Sequence, residues 1–258
     1  MTQEAKIPLN HTHKYFLTAG ECNSEGEMPV TLLVSRVIEV ATEHANALGI
    51  GYAALSPRGI GWVLTRVSVE MTRWPGINEE YSLTTWIEGW TRFYSDRCFQ
   101  VRDGKGDIIG YVRTVWVAID IEKRSVADLD GVASDTMVDP DMICPLPRQR
   151  KMTPVALNEA TNVENYVFRY CDLDFNRHVN SVRYIEHIMN LWTPADFALY
   201  RVGGFEIAYI HECMFGETVT IAALADIAEP DSPEISASVD MTRHDERVVS
   251  AKVTFCKR

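Results

Sequence analysis

CDLDFNRHVNSVRYIEHIMNLW, residues 171–192, is the stretch from which the fold of this chain can be read outward. Its first half alternates polar side chains, Asp172, Asp174, Asn176, His178 and Asn180. Its second half places Val182, Ile185, Met189 and Trp192 at steps of three and four. That spacing predicts an amphipathic helix from about Asn180 to Trp192, with Asn180 as its cap. Polar side chains feeding a helix start converge on its N-terminus, where unpaired N–H groups and the dipole favour a developing negative charge. The plainer reading is that Asp and Asn shape the loop and cap the helix, and that His178 is one more satisfied polar contact.

Working outward, a predicted strand at Tyr166 to Tyr170 precedes the loop. Strands near Phe205 to Phe215, Thr218 to Leu224, Ile235 to Met241 and Val248 to Phe255 follow the helix, with turns at Gly216-Glu217, Pro230 to Pro233 and Asp245-Glu246. The same order occurs upstream. A short apolar run at Tyr15 to Leu17 leads to a helix over 29–48, in which Leu33, Val37, Val40, Ala41 and His44 share a face, Pro29 suits the first turn and Gly49 ends it. Strands at Trp62 to Met71, Tyr81 to Trp90, Phe93 to Val101 and Ile108 to Ile121 complete the copy, with turns at Pro75-Gly76 and Asp103-Gly104. Tyr15 and Tyr166 open the two copies 151 positions apart, and the repetition is of pattern rather than residue identity. Glu122 to Glu164, rich in Asp and Pro, reads as a surface connection with one short helix. A boundary near residue 150 divides the chain into units 1–150 and 151–258. A lone helix before an antiparallel sheet buries its apolar stripe only against that sheet, so an α+β fold of two helix-wrapped sheets is expected.

Composition narrows the function. A chain of 258 residues, 46% hydrophobic, can bury two cores. Neither a signal-peptide core in Met1 to Lys14 nor an apolar run near the ~20 residues of a membrane span is visible. Cys22, Cys98, Cys144, Cys171, Cys213 and Cys256 are scattered without a CxxC pair, as expected of reduced thiols in a cytoplasmic protein. The net charge of −11 disfavours nucleic acid, whose binding needs concentrated Lys and Arg.

The run DLDFNRHVNSVRYIE closely resembles the active-site segment of the acyl-ACP thioesterases, DxNxHVNxxxY. IHECMFGETV at 210–219 is similar to that family's Glu-Cys strand, and GWVLTRVSVEMTRWP at 61–75 with GYVRTVWVAID at 110–120 to its first-half strands. The resemblance runs from about Tyr15 to the end of the chain. It implies a double hot dog, two helix-wrapped antiparallel sheets forming a pseudo-dimer; from the residues themselves, neither metal nor cofactor is expected. It also implies hydrolysis of fatty acyl-acyl carrier protein by a network of Asp174, Asn176, His178 and Glu212. In that network His178 and Glu212 would activate a water and His178 would protonate the leaving thiolate. Asn176 would orient water or carbonyl, and the Val179 and Asn180 N–H groups would meet the oxyanion.

Cys213 offers a rival, a nucleophilic Cys213, His178 and Asn176 triad. Neighbours on a strand face opposite ways, so Glu212 and Cys213 cannot both face His178, and the ordinary burial of free Cys favours Glu212. The first-half counterpart of the loop, GECNSEGEMP at 20–29, has no DxNxH, so one site per chain is expected. The first half is then free to line the acyl tunnel, although Trp62, Met71 and Trp116 are equally ordinary core residues. Arg177 and Arg183 flank the loop and suit an acidic carrier, as do Arg148, Arg150 and Lys151 of the connection, a group that a solvated linker explains as well. His11 and His13 lie two apart with no Cys or carboxylate at ligand spacing, which reads as a mobile terminus. Glycine-rich phosphate loops and GxSxG elbows are missing from the sequence. An acyl-CoA thioesterase, a non-catalytic acyl-binding protein and a dehydratase of the same fold are the alternatives, and either a monomer or a homodimer fits two fused repeats.

Overall fold

A computed structural model describes residues 9–132, 134–226 and 233–258. The first copy runs β1 (Asn10–Phe16), α1 (Val30–Ala47), α2 (Tyr52–Leu55), β2 (Ile60–Met71), β3 (Glu80–Trp90), β4 (Tyr94–Asp103), β5 (Ile108–Asp120) and β6 (Ser125–Val126). The second runs β7 (Asn162–Val167), α3 (Ser181–Met189), α4 (Pro194–Leu199), β8 (Tyr200–Tyr209), β9 (Thr218–Asp226), β10 (Glu234–Arg243) and β11 (Glu246–Lys257). Between them the described residues are irregular, apart from a 3-10 turn at Asp135–Met137.

All the described strands join one sheet, in the order β1-β3-β4-β5-β2-β8-β11-β10-β9-β7, with β6 paired antiparallel to the end of β5. The order reads the same from either end once the copies are matched. The seam is the antiparallel pairing of β2 with β8, from Arg66 opposite Ala208 to Glu70 opposite Gly204. This is the double hot-dog arrangement. α1 buries Leu33, Val34, Val37, Val40, Ala41 and His44, and α3 buries Tyr184, Ile185 and Ile188; the two helices meet each other, and their apolar residues share one core with the sheet. Each fully buried Val, Leu or Ile contributes about 1.5–3 kcal/mol, so these stripes, more than helix propensity, hold two Val- and Ile-rich segments helical. Gly49, at φ +73, ends α1 in the left-handed region where a Cβ is disfavoured.

Several boundaries differ from those read in the sequence. α3 stops at Met189, because Thr193 and Asp196 form a capping box that starts α4. β8 therefore begins at Tyr200. It ends at Tyr209, where the Ile210 and His211 N–H groups both turn to the Val248 carbonyl. Glu212 and Cys213 consequently lie in a loop, not on the expected 205–215 strand. β7 ends at Val167, and the turn expected at Pro230 to Pro233 falls mostly outside the described residues. Pro29 is the N-cap of α1 rather than its first residue. His11 and His13 are ordered on the edge strand β1, and Glu43 of α1 meets both, contrary to the mobile terminus expected. Among the described residues no helix is long and apolar enough to cross a membrane.

Candidate active site

Between β7 and α3 the chain is fixed by two aspartates. Asp172, nearly buried, accepts hydrogen bonds from the Arg169 N–H (2.7 Å), the Tyr166 hydroxyl (3.0 Å) and His187 Nε2 (3.1 Å). Burial opposes its ionisation, but these donors outweigh it and hold the carboxyl below its ordinary range. Asp174 closes the next turn: one carboxylate oxygen accepts the Asn176 N–H at 2.8 Å and the His178 N–H at 3.1 Å. The Asp174 N–H in turn donates to the His178 carbonyl at 2.8 Å, and Arg177 takes φ +68 at the bend. Asn180 caps α3 by accepting the Val182 N–H at 2.9 Å, and the Tyr209 hydroxyl donates to the Ser181 carbonyl, anchoring the helix start to the end of β8.

This frame delivers His178 to the loop after β8. His178 Nδ1 stands 3.4 Å from Glu212 Oε2, with the imidazole about a quarter exposed and the carboxylate 40% exposed. The backbone joins too, through an isolated bridge between His178 and Met214. Arg243 donates to the Glu212 carbonyl at 3.1 Å while pairing with Glu217 and Glu246, which pins the Glu212 backbone. The other Glu212 oxygen meets Arg124, at the turn between β5 and β6. His178 Nε2 has no protein partner among the described residues, so it faces whatever fills the site. Water held by Nε2, with Glu212 steadying the opposite ring nitrogen, is the chemistry this arrangement allows.

Cys213 is turned away. It is fully buried in the core, its N–H donates to the Tyr184 hydroxyl at 3.0 Å, and burial pushes its thiol above the ordinary value. A thiol disfavoured as thiolate and walled from solvent is a poor nucleophile. The other predicted residues do not all converge. Asp174 binds backbone, and Asn176, exposed at the loop tip, makes no recorded side-chain bond to His178 or Glu212. The oxyanion expectation for Val179 and Asn180 is corrected: their N–H groups donate to the Cys213 and Asp172 carbonyls, both at 2.8 Å. Of the flanking cations, Arg177 is exposed, whereas Arg183 pairs with Glu186 at 2.5 Å and Arg148 with Asp96 at 2.8 Å. Arg124 was not visible in the sequence reading, because no local spacing links a first-half turn to a loop 88 residues later.

A cavity of about 230 Å³ opens beside the loop that precedes α3. α1 contributes Ile38, Ala41 and Ala45, the sheet Trp62 and Trp116, and the loop itself Phe175, whose ring meets Tyr52 edge-on at 6.2 Å. Arg97 reaches the inner wall, hydrogen-bonded to His44 Nδ1 at 2.8 Å, with burial drawing its guanidinium down to about 10. Trp62 and Trp116 thus line the cavity, whereas Met71 belongs to the core.

The chain matches the acyl-ACP thioesterase N-terminal domain over residues 8–135 and the acyl-ACP thioesterase C-terminal domain over 155–257. An acyl-ACP thioesterase from Bacteroides thetaiotaomicron superposes on 96% of this chain and 98% of its own, with a TM-score of 0.83 and 31% identity. The 12:0-ACP thioesterase of Umbellularia californica shares the fold at 18% identity, with a TM-score of 0.83 over 97% of this chain and 95% of its own. A chloroplastic dodecanoyl-[acyl-carrier-protein] hydrolase of Cinnamomum camphora is 23% identical over 209 residues, 75% of this chain and 53% of the relative. The chain therefore spans about half the length of that curated relative. With both family domains in tandem, carried on one palindromic sheet, the chain belongs to the acyl-ACP thioesterase family.

Proposed function

We propose that the chain hydrolyses the thioester of fatty acyl-acyl carrier protein and releases the free fatty acid. The observation that carries this is the approach of His178 Nδ1 to Glu212, 3.4 Å, where the loop that carries His178 also borders the apolar cavity through Phe175. His178 Nε2 takes a proton from water as the oxygen adds to the thioester carbonyl. The tetrahedral intermediate expels the carrier's thiolate, which recovers that proton from His178. Glu212, held by Arg124 and Arg243, keeps the imidazole oriented and stabilises it while protonated. Because Arg124 neutralises part of its charge, Glu212 serves better as this orienting partner than as the base. Asp174 positions the His178 backbone, and Asn176 is assigned to the incoming carbonyl or water.

Residues 1–150 are assigned to the acyl chain and 151–258 to chemistry. The cavity walls come mainly from the first copy, with Phe175 added by the second. An acidic carrier meeting a chain of net charge −11 needs local cations, and exposed Arg177 beside the loop supplies one. Six free, scattered thiols suit a reducing cytoplasm, and two fused copies suit a monomer or a homodimer. Thiol release measured on one acyl chain carried by acyl carrier protein and by coenzyme A, at increasing salt, tests the reading. A preference for the protein carrier that falls with salt supports it. Equal turnover of both carriers reassigns the chain to acyl-CoA, and no release from either leaves an acyl-binding protein.

A further inference from the structure

β1 presents His11 and His13 on one face, as alternate residues of a strand must, and that face meets α1. His11 Nε2 and His13 Nδ1 each lie 2.9 Å from the same atom, Glu43 Oε2. The three donor atoms all fall within 4.8 Å of one another. Both rings are braced from behind, His11 by a parallel stack on His44 (6.2 Å between centroids) and His13 by one on Tyr15 (4.3 Å). The two nitrogens hold the Glu43 carboxyl below its ordinary range. All three side chains are about one-third exposed, which leaves room for an ion to enter and for water to complete its shell.

We propose that His11, His13 and Glu43 bind a divalent transition metal ion. Two imidazoles and one carboxylate suit Zn²⁺, Co²⁺ or Ni²⁺, whereas Mg²⁺ and Ca²⁺ prefer all-oxygen shells. Metal–ligand bonds of about 2.0–2.1 Å make a nitrogen and an oxygen 2.9 Å apart subtend nearly a right angle at the ion, and three protein ligands leave positions open for water. On binding, the ring nitrogen facing Glu43 gives up its hydrogen, to the other ring nitrogen by way of solvent if the imidazole is neutral or to water if it is protonated, so the ion replaces the hydrogen bonds seen here. The ion would rivet the edge strand β1 to the helix whose Ile38, Ala41 and Ala45 line the cavity. This role is structural and independent of the hydrolase reading.

The test is titration of chelator-stripped, full-length protein with Zn²⁺ by calorimetry and with Co²⁺ by visible absorption. The proposal expects one equivalent per chain, a higher Tm with metal, and a cobalt spectrum of nitrogen and oxygen ligands. His13→Ala and Glu43→Gln should each weaken Zn²⁺ binding at least about tenfold and remove the rise in Tm. Glu43→Gln still accepts hydrogen bonds from both rings, so its fold, checked by circular dichroism, should match the parent. Unchanged Tm and spectrum on adding metal would overturn the proposal, as would binding that survives both substitutions. A cobalt–thiolate charge-transfer band would overturn it as well, by placing the ion on one or more of the free cysteines instead.

Discussion

At the scale of single residues, the Asp174 carboxylate is committed to two backbone N–H groups, so its role can be separated from its charge. Asp174→Asn keeps an acceptor oxygen and should retain far more activity than Asp174→Ala, which releases the His178 backbone. Equal loss in both, measured as kcat with folding verified, would show that the negative charge itself is needed. Asp172 predicts a pH dependence. Its folded pKa lies below the unfolded value of about 3.9, so its contribution is complete above that value and is lost as pH falls through the folded pKa. Asp172→Asn should therefore lower stability near pH 7 by about 1–3 kcal/mol yet flatten the decline below about pH 4 in acid-unfolding curves. His178 and Glu212 stood out in the sequence through their place in longer motifs. Arg124 did not, because the fold alone brings it to Glu212. The backbone donors were misjudged for a related reason: a helix start offers free N–H groups in isolation, but here the Asp172 and Cys213 carbonyls fill them.

At the scale of elements, α3 depends on its cap. Asn180→Ala should cost about 1 kcal/mol in denaturant unfolding and should also reduce kcat, because the same residue ends the loop that carries His178. Ala45 of α1 borders the cavity, and Ala45→Phe should shorten the preferred acyl chain in a thiol-release panel. An unchanged preference in a folded variant would detach the cavity from substrate choice. The helix and strand periodicities were plain wherever one face packs on the core, as in α1 and β10. Boundaries failed where local chemistry cut across them. Thr193-Pro194-Ala195-Asp196 carries a capping-box signal, and reading it would have ended α3 early and moved β8 forward. The end of β8 had no such signal, since Ile210 and Phe215 continue an apolar pattern after the chain has left the sheet.

At the scale of the whole molecule, the pattern repeat announced two copies, while the pairing of β2 with β8 came only from the structure. That seam is reinforced by the Trp74 indole donating to the Val202 carbonyl at 2.6 Å and by Arg258 gripping Glu27 through two 2.9 Å bonds. Residues 151–258 produced alone would expose the β8 edge and should aggregate or self-pair in size-exclusion chromatography. The intact sheet holds the loop after β8 against the loop before α3, and hydrolysis in this reading depends on that meeting. The most direct measurement is single-turnover thiol release from acyl-acyl carrier protein by Glu212→Ala and Cys213→Ala, each confirmed to be folded. The account predicts a loss of at least about 100-fold for Glu212→Ala and near-parent rates for Cys213→Ala. An active Glu212→Ala beside an inactive Cys213→Ala would contradict it and make the buried thiol the nucleophile.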